Sequence, residues 1–185
     1  MRKAKLWTIA ICIIIFMFIM TSTTALAASY NGHNYTTDYT QWKQSDAAWG
    51  SKKLGNLCTM SDSGCLVTSI AIQMVRAGVE NPNSFCPGTL RDRLEAGGFI
   101  SHASDIRYDG NLDYSAAFSG SNSSKFTYAG MSNFHPTPYN SIYSTLSSKM
   151  SQGYYAVVQV KYGNHWVAVS NCSGGEVYIN DPASN

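Results

Sequence analysis

One cysteine stands where a buried helix is expected to begin. Residues 61–64 (SDSG) form a polar, turn-forming run, and Cys65 follows it directly. From Leu66 to Val75 the apolar residues recur at helical spacing, which predicts a buried helix with Cys65 in its first turn. The unpaired N–H groups and the dipole of a helix start favour an anion and lower the pKa of a cysteine. We therefore expect a nucleophilic thiolate at Cys65; a small buried residue or half of a disulfide are the plainer alternatives.

A thiolate nucleophile needs a base that takes its proton and a group that orients the base. His165 opens an expected strand directly after a turn at 163–164, which places its ring at an edge of the sheet facing the helix. The other histidines, His33, His102 and His135, lie in weakly patterned segments. We therefore predict that His165 is the base, against the alternative of an ordinary residue at a strand end.

A carboxylate is available to orient that histidine. Asp181 follows the last expected strand, at a short interval along the chain from His165. A hairpin that turns near residues 174–175 returns this strand end to the start of the His165 strand. There the carboxylate can accept from the second ring nitrogen and fix the tautomer, as the third member of a triad does. The amide of Asn180 could take the same role, and a plain turn at residues 181–182 is the structural alternative.

Acyl transfer also needs hydrogen-bond donors for the oxyanion that develops on the carbonyl. The backbone N–H of Cys65 at the helix start can be one donor. Our candidate for the second is the side-chain amide of Gln44, which lies in a loop bounded by Trp42 and Trp49. Gln41 is the competing choice. The two tryptophans are expected to hold this loop on the core through their large apolar area.

The order of elements predicts an α+β fold. Three segments with helical spacing of apolar residues are expected helices: 66 to a stop at Gly78, 87–96 with Pro87 at its first position, and 140–151. Asp62 or Ser63 is the expected cap of the first helix. Three segments rich in β-branched residues are expected strands: 155–160, 165–170 and 177–179. Residues 101–138 are expected to be loops with short strands that form one wall of a cleft. Helices followed by an antiparallel meander indicate separate α and β layers.

Residues 1–27 have the features of a secretory signal peptide. A basic start precedes an uncharged apolar run over 6–20, and residues 25–27 (ALA) form a small-x-small cleavage site. An uncleaved anchor is the alternative, but the run is short for a membrane span of about 20 residues. We therefore expect a secreted protein, extracellular or associated with the cell wall, without stable membrane insertion after cleavage.

Residues 28–40 lack periodicity and are expected to be a flexible lead-in, or a short segment that lies on the domain. One domain then covers 41–185. Because the chain ends three residues after Pro182, a truncated C-terminus is one interpretation of that end.

Removing residues 1–27 leaves ten basic against eleven acidic residues, a formal charge of −1. These charges are scattered and form no basic stripe, so no nucleic-acid partner is expected. The oligomeric state is left open.

Four cysteines remain after removal of the signal peptide: Cys58, Cys65, Cys86 and Cys172. In an exported protein an even set is typical of two disulfides. If Cys65 is a free nucleophile, one pair forms among the other three and one thiol is left over. No two of the four lie within two to four residues of each other, so their spacing does not match a zinc site. We expect neither a metal nor a cofactor.

Four short motifs, taken in order, resemble those of one family. They are residues 44–50 (QSDAAWG), 63–69 (SGCLVTS), 164–169 (NHWVAV) and 180–182 (NDP). In these motifs the chain is similar to the papain-like cysteine peptidases, and most of all to the double-glycine-leader peptidases and their secreted relatives. The resemblance covers about residues 41–182. It implies a papain-like fold in which a helix bearing the nucleophile packs on an antiparallel sheet, and hydrolysis of peptide or isopeptide bonds without a metal.

Carried over residue by residue, the resemblance implies Cys65 as nucleophile, His165 as base, Asp181 as orienting residue and Gln44 as oxyanion donor. The leader peptidases are cytosolic domains of exporters, whereas this chain has a signal peptide and no transporter, so leader processing is not expected. The expected function is that of a secreted bacterial cysteine peptidase acting on protein or on peptidoglycan stem peptides. The alternatives are a peptidoglycan amidase or endopeptidase, and an inactive papain-like module that binds the cell wall.

Overall fold

The computed structural model describes residues 27–107, 109–112, 127–134 and 138–183, apart from the side chain of Tyr162. The chain is a mixed α+β protein with several helices and small antiparallel sheets. Nearly all of the expected signal peptide, and also His135, lie outside the described residues. No helix among the described residues is both long and apolar enough to cross a membrane.

The elements follow one another in a simple order. They are β1 (Ala27–Tyr30), β2 (His33–Thr36), β3 (Lys53–Leu54), β4 (Cys58–Thr59), α1 (Met60–Ser63), α2 (Cys65–Arg76), α3 (Pro87–Ala96), α4 (Tyr139–Ser151), β5 (Val157–Val160), β6 (His165–Ser173) and β7 (Glu176–Asn180).

Helix α2 is the centre of the core. Every residue from Leu66 to Val75 is buried, as the apolar spacing predicted, and the helix packs against both β6 and α3. Gly78 follows the helix with a positive φ of 70°, a conformation that favours glycine. Pro87 occupies the first turn of α3, also as predicted.

The predicted cap of α2 is wrong. Gly64 occupies the N-cap position and makes no side-chain hydrogen bond. An extra helical turn, α1, takes up the polar residues before Cys65, and Asp62 turns back to Thr59 in a capping box at the start of α1. Residues 52–60, which have no periodic pattern in the sequence, contain the two short paired strands β3 and β4.

The C-terminal sheet has the strand order β5-β6-β7, and both pairs are antiparallel, which confirms the predicted meander. Gly174 and Gly175 both have positive φ, which is the conformation that a two-residue type I′ hairpin turn requires. The register pairs Ala168 with Asn180, so the end of β7 returns beside the start of β6. Strand β6 extends to Ser173, three residues further than expected.

The segment before residue 41 is not a flexible lead-in. Strands β1 and β2 pair as a hairpin that lies on the domain. Tyr35 is buried and its hydroxyl donates to the carbonyl of Pro82 at 3.1 Å, while the Tyr30 hydroxyl donates to the Asp92 carboxylate at 2.5 Å. The apolar ring area and the hydrogen bond of each tyrosine attach the hairpin to the rest of the domain, although its sequence has no periodicity.

Trp42 and Trp49 are buried, and their rings meet edge to face with centroids 6.2 Å apart. The indole of Trp42 donates to the carbonyl of Thr36 at 2.7 Å, and that of Trp49 to the carbonyl of Lys43 at 2.8 Å. The tryptophans therefore hold the loop that carries Gln44 on the core, as predicted.

Candidate active site

His165 and Asp181 meet at the start of β6. The histidine is buried, and its Nε2 lies 2.6 Å from Oδ1 of Asp181. The N–H of Ala183 donates to the same oxygen at 2.8 Å. Burial acts to raise the pKa of Asp181, but these two hydrogen bonds and the charges nearby outweigh it, so the pKa lies below its ordinary value. Because Nε2 of His165 bonds to Asp181, Nδ1 is the ring nitrogen that remains to accept a proton.

The Gln44 loop holds the Asp181 segment from its other side. The ammonium of Lys43 donates to the backbone carbonyl of Asp181 at 2.8 Å. The N–H of Gln44 donates to the carbonyl of Pro182, also at 2.8 Å. Sequence reasoning did not single out Lys43, and 138 residues separate it from Asp181, so no local pattern could have linked the two.

Cys65 is the first residue of α2 and is partly exposed. Burial raises the pKa of its thiol, and the negative charge of Asp181 acts in the same direction. The backbone N–H groups of Trp166, Leu66 and Cys65 itself lower the pKa, but they do not compensate. The expectation of a lowered pKa is therefore wrong for this structure, because the helix start is packed against β6 and desolvation penalises the thiolate.

Cys65 lies beside the His165 segment without a direct bond to the imidazole. Among the described residues no hydrogen bond joins the Cys65 sulfur to either nitrogen of His165. The backbone N–H of Trp166, the residue after His165, is the sheet group that acts on the thiol. Catalytic hydrogen bonds are often long in a free enzyme and shorten when substrate is bound, so the arrangement is compatible with a nucleophile and base.

The side chain of Gln44 lies at the turn that leads to Cys65. Its Nε2 donates to the carbonyl of Ser61 at 2.7 Å, and its Oε1 is buried without a hydrogen-bond partner among the described residues. The amide has a second N–H that could face a substrate oxygen. Gln41 is exposed, and among the described residues its side-chain amide donates to its neighbour Thr40, at 3.4 Å. The geometry therefore favours Gln44 over Gln41.

The other described histidines lie elsewhere. His33 is exposed in the N-terminal hairpin. His102 is engaged by Glu95, 2.8 Å from its Nε2, and by Asn56, 3.2 Å from its Nδ1. Of the described histidines, only His165 lies beside the Cys65 helix start.

All four described cysteines are free thiols, so neither expected disulfide arrangement is present. Cys58 and Cys86 are buried, and the Cys86 sulfur lies 3.4 Å from the Thr89 hydroxyl. The Cys172 sulfur lies 3.6 Å from that of Met150. The four thiols belong to different elements, namely β4, α2, the N-cap of α3, and β6.

A cleft of about 280 Å³ opens beside Cys65. Three parts of the chain contribute most of its lining: Asp62, Ser63 and 65–67; Ile106 and 109–112; and Gly163, Asn164 and Trp166. Among them are the apolar side chains of Leu66, Ile106 and Trp166. The described part of the 101–138 segment thus forms one wall of a cleft, as predicted.

Asp109 holds that wall in place. It is 5% exposed, and its two carboxylate oxygens accept the backbone N–H groups of Asn56 at 2.7 Å, Leu57 at 2.7 Å and Cys58 at 3.0 Å. Burial acts to raise the pKa of Asp109, but these hydrogen bonds lower it below the ordinary value. Gly55 has a φ of 82°, and a Cβ there would collide with the carboxylate. In the sequence Asp109-Gly110 resembles any turn, so no signal marked this residue.

No protein family, curated protein or solved structure matches this chain. Within the described ranges, no group of three or more His, Cys, Asp or Glu residues is placed to hold a metal ion. The candidate site therefore consists of Cys65, which lines the cleft, together with His165, Asp181 and Gln44 around the start of α2. Its assignment depends on their geometry alone.

Proposed function

We propose that this chain is a secreted bacterial cysteine peptidase of papain-like fold that hydrolyses peptide bonds through Cys65, His165 and Asp181. The observation that carries the proposal is the 2.6 Å hydrogen bond between His165 and Asp181. It forms at the start of the strand whose next residue, Trp166, acts on the Cys65 thiol through its backbone N–H. A base oriented by a carboxylate next to a nucleophile is the arrangement that covalent acyl transfer needs.

The proposed reaction starts from the Cys65 thiol, whose pKa is raised by burial. In the proposed reaction the sulfur attacks the scissile carbonyl while its proton passes to Nδ1 of His165. Asp181 stabilises the resulting imidazolium through Nε2–H. The oxyanion accepts hydrogen bonds from the backbone N–H of Cys65 and from the Gln44 amide.

Collapse of this intermediate breaks the C–N bond, and His165 returns the proton to the leaving amine. The product is a thioester between Cys65 and the acyl fragment. A water molecule then gives a proton to His165 and attacks the thioester. Release of the acid returns the proton to the sulfur and restores the thiol.

Secretion is part of the proposal. The basic start, apolar run and ALA motif of residues 1–27 support export, and the near-neutral charge of the remainder supports a partner other than nucleic acid. The substrate is then a protein or a peptidoglycan stem peptide met outside the cell.

The first test is digestion of unfolded casein and of purified peptidoglycan by the secreted protein, with products identified by mass spectrometry. The wild type is expected to release new peptide termini, and Cys65→Ala to release none. Cys172→Ala, which removes a thiol outside the site, is expected to cut like the wild type. Equal cleavage by Cys65→Ala would overturn the proposal. Products from peptidoglycan in which only the amide between the glycan and the stem peptide is cut would instead support the amidase alternative.

One observation favours a second candidate, an inactive papain-like module that binds the cell wall. Cys65 and His165 share no hydrogen bond, and Tyr154, Tyr155 and Tyr178 are 40–47% exposed. Exposed aromatic rings are common contacts for sugars and peptides. Co-sedimentation with purified cell wall, unchanged in Cys65→Ala and without cleavage by the wild type, would favour the binding module over the peptidase.

A further inference from the structure

The cleft beside Cys65 contains the carboxylate of Asp62, and only one of its two oxygens accepts hydrogen bonds from the described residues. Asp62 lies three residues before the nucleophile, is exposed, and lines the cleft. Its Oδ2 accepts the backbone N–H of Thr59 at 2.9 Å and the Thr59 hydroxyl at 2.7 Å. Its Oδ1 makes no hydrogen bond to any described residue. One carboxylate oxygen therefore faces solvent close to the nucleophile.

This carboxylate remains charged. The two hydrogen bonds from Thr59 lower the pKa of Asp62 below its ordinary value. Lys53 contributes a smaller lowering through its charge, but no ion pair joins the two among the described residues. The negative charge of Asp62 is thus not neutralised by a contact within the described part of the chain.

The carboxylate of Asp109 also lines the cleft, but neither of its oxygens is left to bind a substrate cation. Both oxygens of Asp109 accept backbone N–H groups of residues 56–58, which give its charge a structural role. No Lys, Arg or His is among the described residues that line the cleft. Among the described lining residues, a cationic group that enters the cleft would therefore meet no like charge and one carboxylate oxygen without a hydrogen bond.

Apolar side chains complete the cleft around this charge. Leu66, Leu112 and Trp166 are among its lining residues. A long amine side chain combines an apolar methylene stem with an ammonium head, which suits a cleft that offers apolar walls and one carboxylate.

We infer that Asp62 determines specificity at this site and selects substrates with an ammonium group next to the scissile bond. The ammonium belongs to a lysine-type side chain or to a free N-terminal amine. This inference rests on the proposed peptidase function and adds to it the chemical class of the substrate.

The test uses a pool of sequence-diverse peptides, digested by the secreted protein and analysed by mass spectrometry. Wild type is expected to cut preferentially at bonds with an ammonium group within a few residues. Acetylating the lysines of one pool and the N-termini of another distinguishes the two sources, since only the pool that loses the relevant ammonium should lose the preference.

A matched pair of single peptides then gives the magnitude. A peptide with lysine at the preferred position is expected to have about a fivefold higher kcat/KM than the same peptide with norleucine, as for an ion pair that water still reaches. Asp62→Asn is expected to bring the lysine peptide down to the norleucine value. Equal values for the two peptides in the wild type, or a preference that survives Asp62→Asn, would overturn the inference while peptidase activity stands.

Thr59→Val is the matched control for the helix cap. It removes the two hydrogen bonds that the Thr59 hydroxyl makes in the same capping box but keeps the Asp62 charge, so it is expected to retain the preference for lysine. If Thr59→Val loses the preference as Asp62→Asn does, the effect belongs to the stability of α1 and the inference fails.

Binding separates this inference from the proposed function. Fluorescence polarisation of the labelled lysine and norleucine peptides on Cys65→Ala needs no turnover. Tighter binding of the lysine peptide that disappears in Cys65→Ala with Asp62→Asn supports the inference. If no peptide is cut by the wild type and the two bind equally, the proposed function and the inference both fail.

Discussion

The two ends of helix α2 lie against the same sheet but differ in how their polar side chains are hydrogen-bonded. At the C-terminal end, Nε2 of Gln73 donates to the carbonyls of Ala156 and Val169, at 2.5 and 2.9 Å. The guanidinium of Arg76 also donates to the Val169 carbonyl, at 3.0 Å. At the N-terminal end, Cys65 follows a glycine cap without a side-chain bond and makes no hydrogen bond to His165.

Under the proposed function, this difference separates a structural end from a reactive end. A buried amide is costly unless it is paired, so the bonds of Gln73, together with that of the half-buried Arg76, fix the position of the helix on the sheet. With the helix fixed there, Cys65 and His165 can remain available for chemistry. Substitutions at the reactive end should therefore change activity, and substitutions at the structural end should change stability.

His165→Ala is expected to have the largest effect. It removes the proposed base, so kcat of the folded protein should fall by about 10³-fold to 10⁴-fold, in addition to the lower Tm expected when a buried, hydrogen-bonded side chain is lost. Steady-state kinetics and a thermal melt on the same preparation check this. His102→Ala is the control, because His102 bonds to Glu95 and Asn56 away from Cys65. Equal losses in the two variants would show that a histidine at position 165 has no special role.

Gln44→Ala should have the next largest effect at the reactive end. Loss of one oxyanion donor is expected to lower kcat by about 10²-fold, with a smaller change in KM. Gln41→Ala should keep the wild-type kcat, since among the described residues its amide donates to Thr40. If the two glutamine variants behave alike, the oxyanion role of Gln44 is wrong.

Gln73→Met tests the structural end. The variant leaves the carbonyl of Val169 with fewer donors and is expected to lower the free energy of unfolding by about 1–3 kcal/mol, while kcat of the folded protein is kept. Thr68→Val is the matched control, because the buried Thr68 hydroxyl has no hydrogen-bond partner among the described residues. Urea denaturation measures both. A loss of activity in Gln73→Met that exceeds its loss of folded protein would contradict the separation of the two ends.

The smallest effect is expected for the wall of the cleft. The pKa of Asp109 is lowered in the folded protein, so its contribution to stability is present above the unfolded value of about 3.9 and is lost as pH falls through the folded value. Asp109→Asn should therefore have a lower Tm than the wild type at pH 7, and the two curves should converge below about pH 4. Thermal melts from pH 7 to pH 3 measure this. A difference in Tm that does not depend on pH would show that the charge is not what holds the wall.

Local patterns were enough for the elements that are regular in sequence. The apolar spacing of 66–75 predicted α2, and the glycine pair at 174–175 predicted the hairpin that brings Asp181 back to His165. Both predictions depend on interactions between residues close in the chain, or on a turn whose conformation only glycine adopts readily.

Features that depend on distant segments could not be predicted. Lys43 reaches Asp181 across 138 residues of the chain. Asp109 accepts the N–H of Asn56, which precedes it by 53 residues. Asp62 does not cap α2, because it lies in α1. There its carboxylate accepts hydrogen bonds from the hydroxyl and the backbone N–H of Thr59. These partners are chosen by packing, which leaves no periodic signal in the sequence.

The sequence by itself determined where the helix of Cys65 begins and which strand ends carry His165 and Asp181, because these follow from short-range periodicity and turn chemistry. Only the tertiary structure decided the direction in which the pKa of the Cys65 thiol is shifted. A helix N-terminus alone favours the thiolate, but packing of α2 against β6 removes water from the sulfur and raises its pKa. Whether the pKa of Cys65 is raised or lowered depends on how far the sulfur is buried, and local sequence does not specify burial.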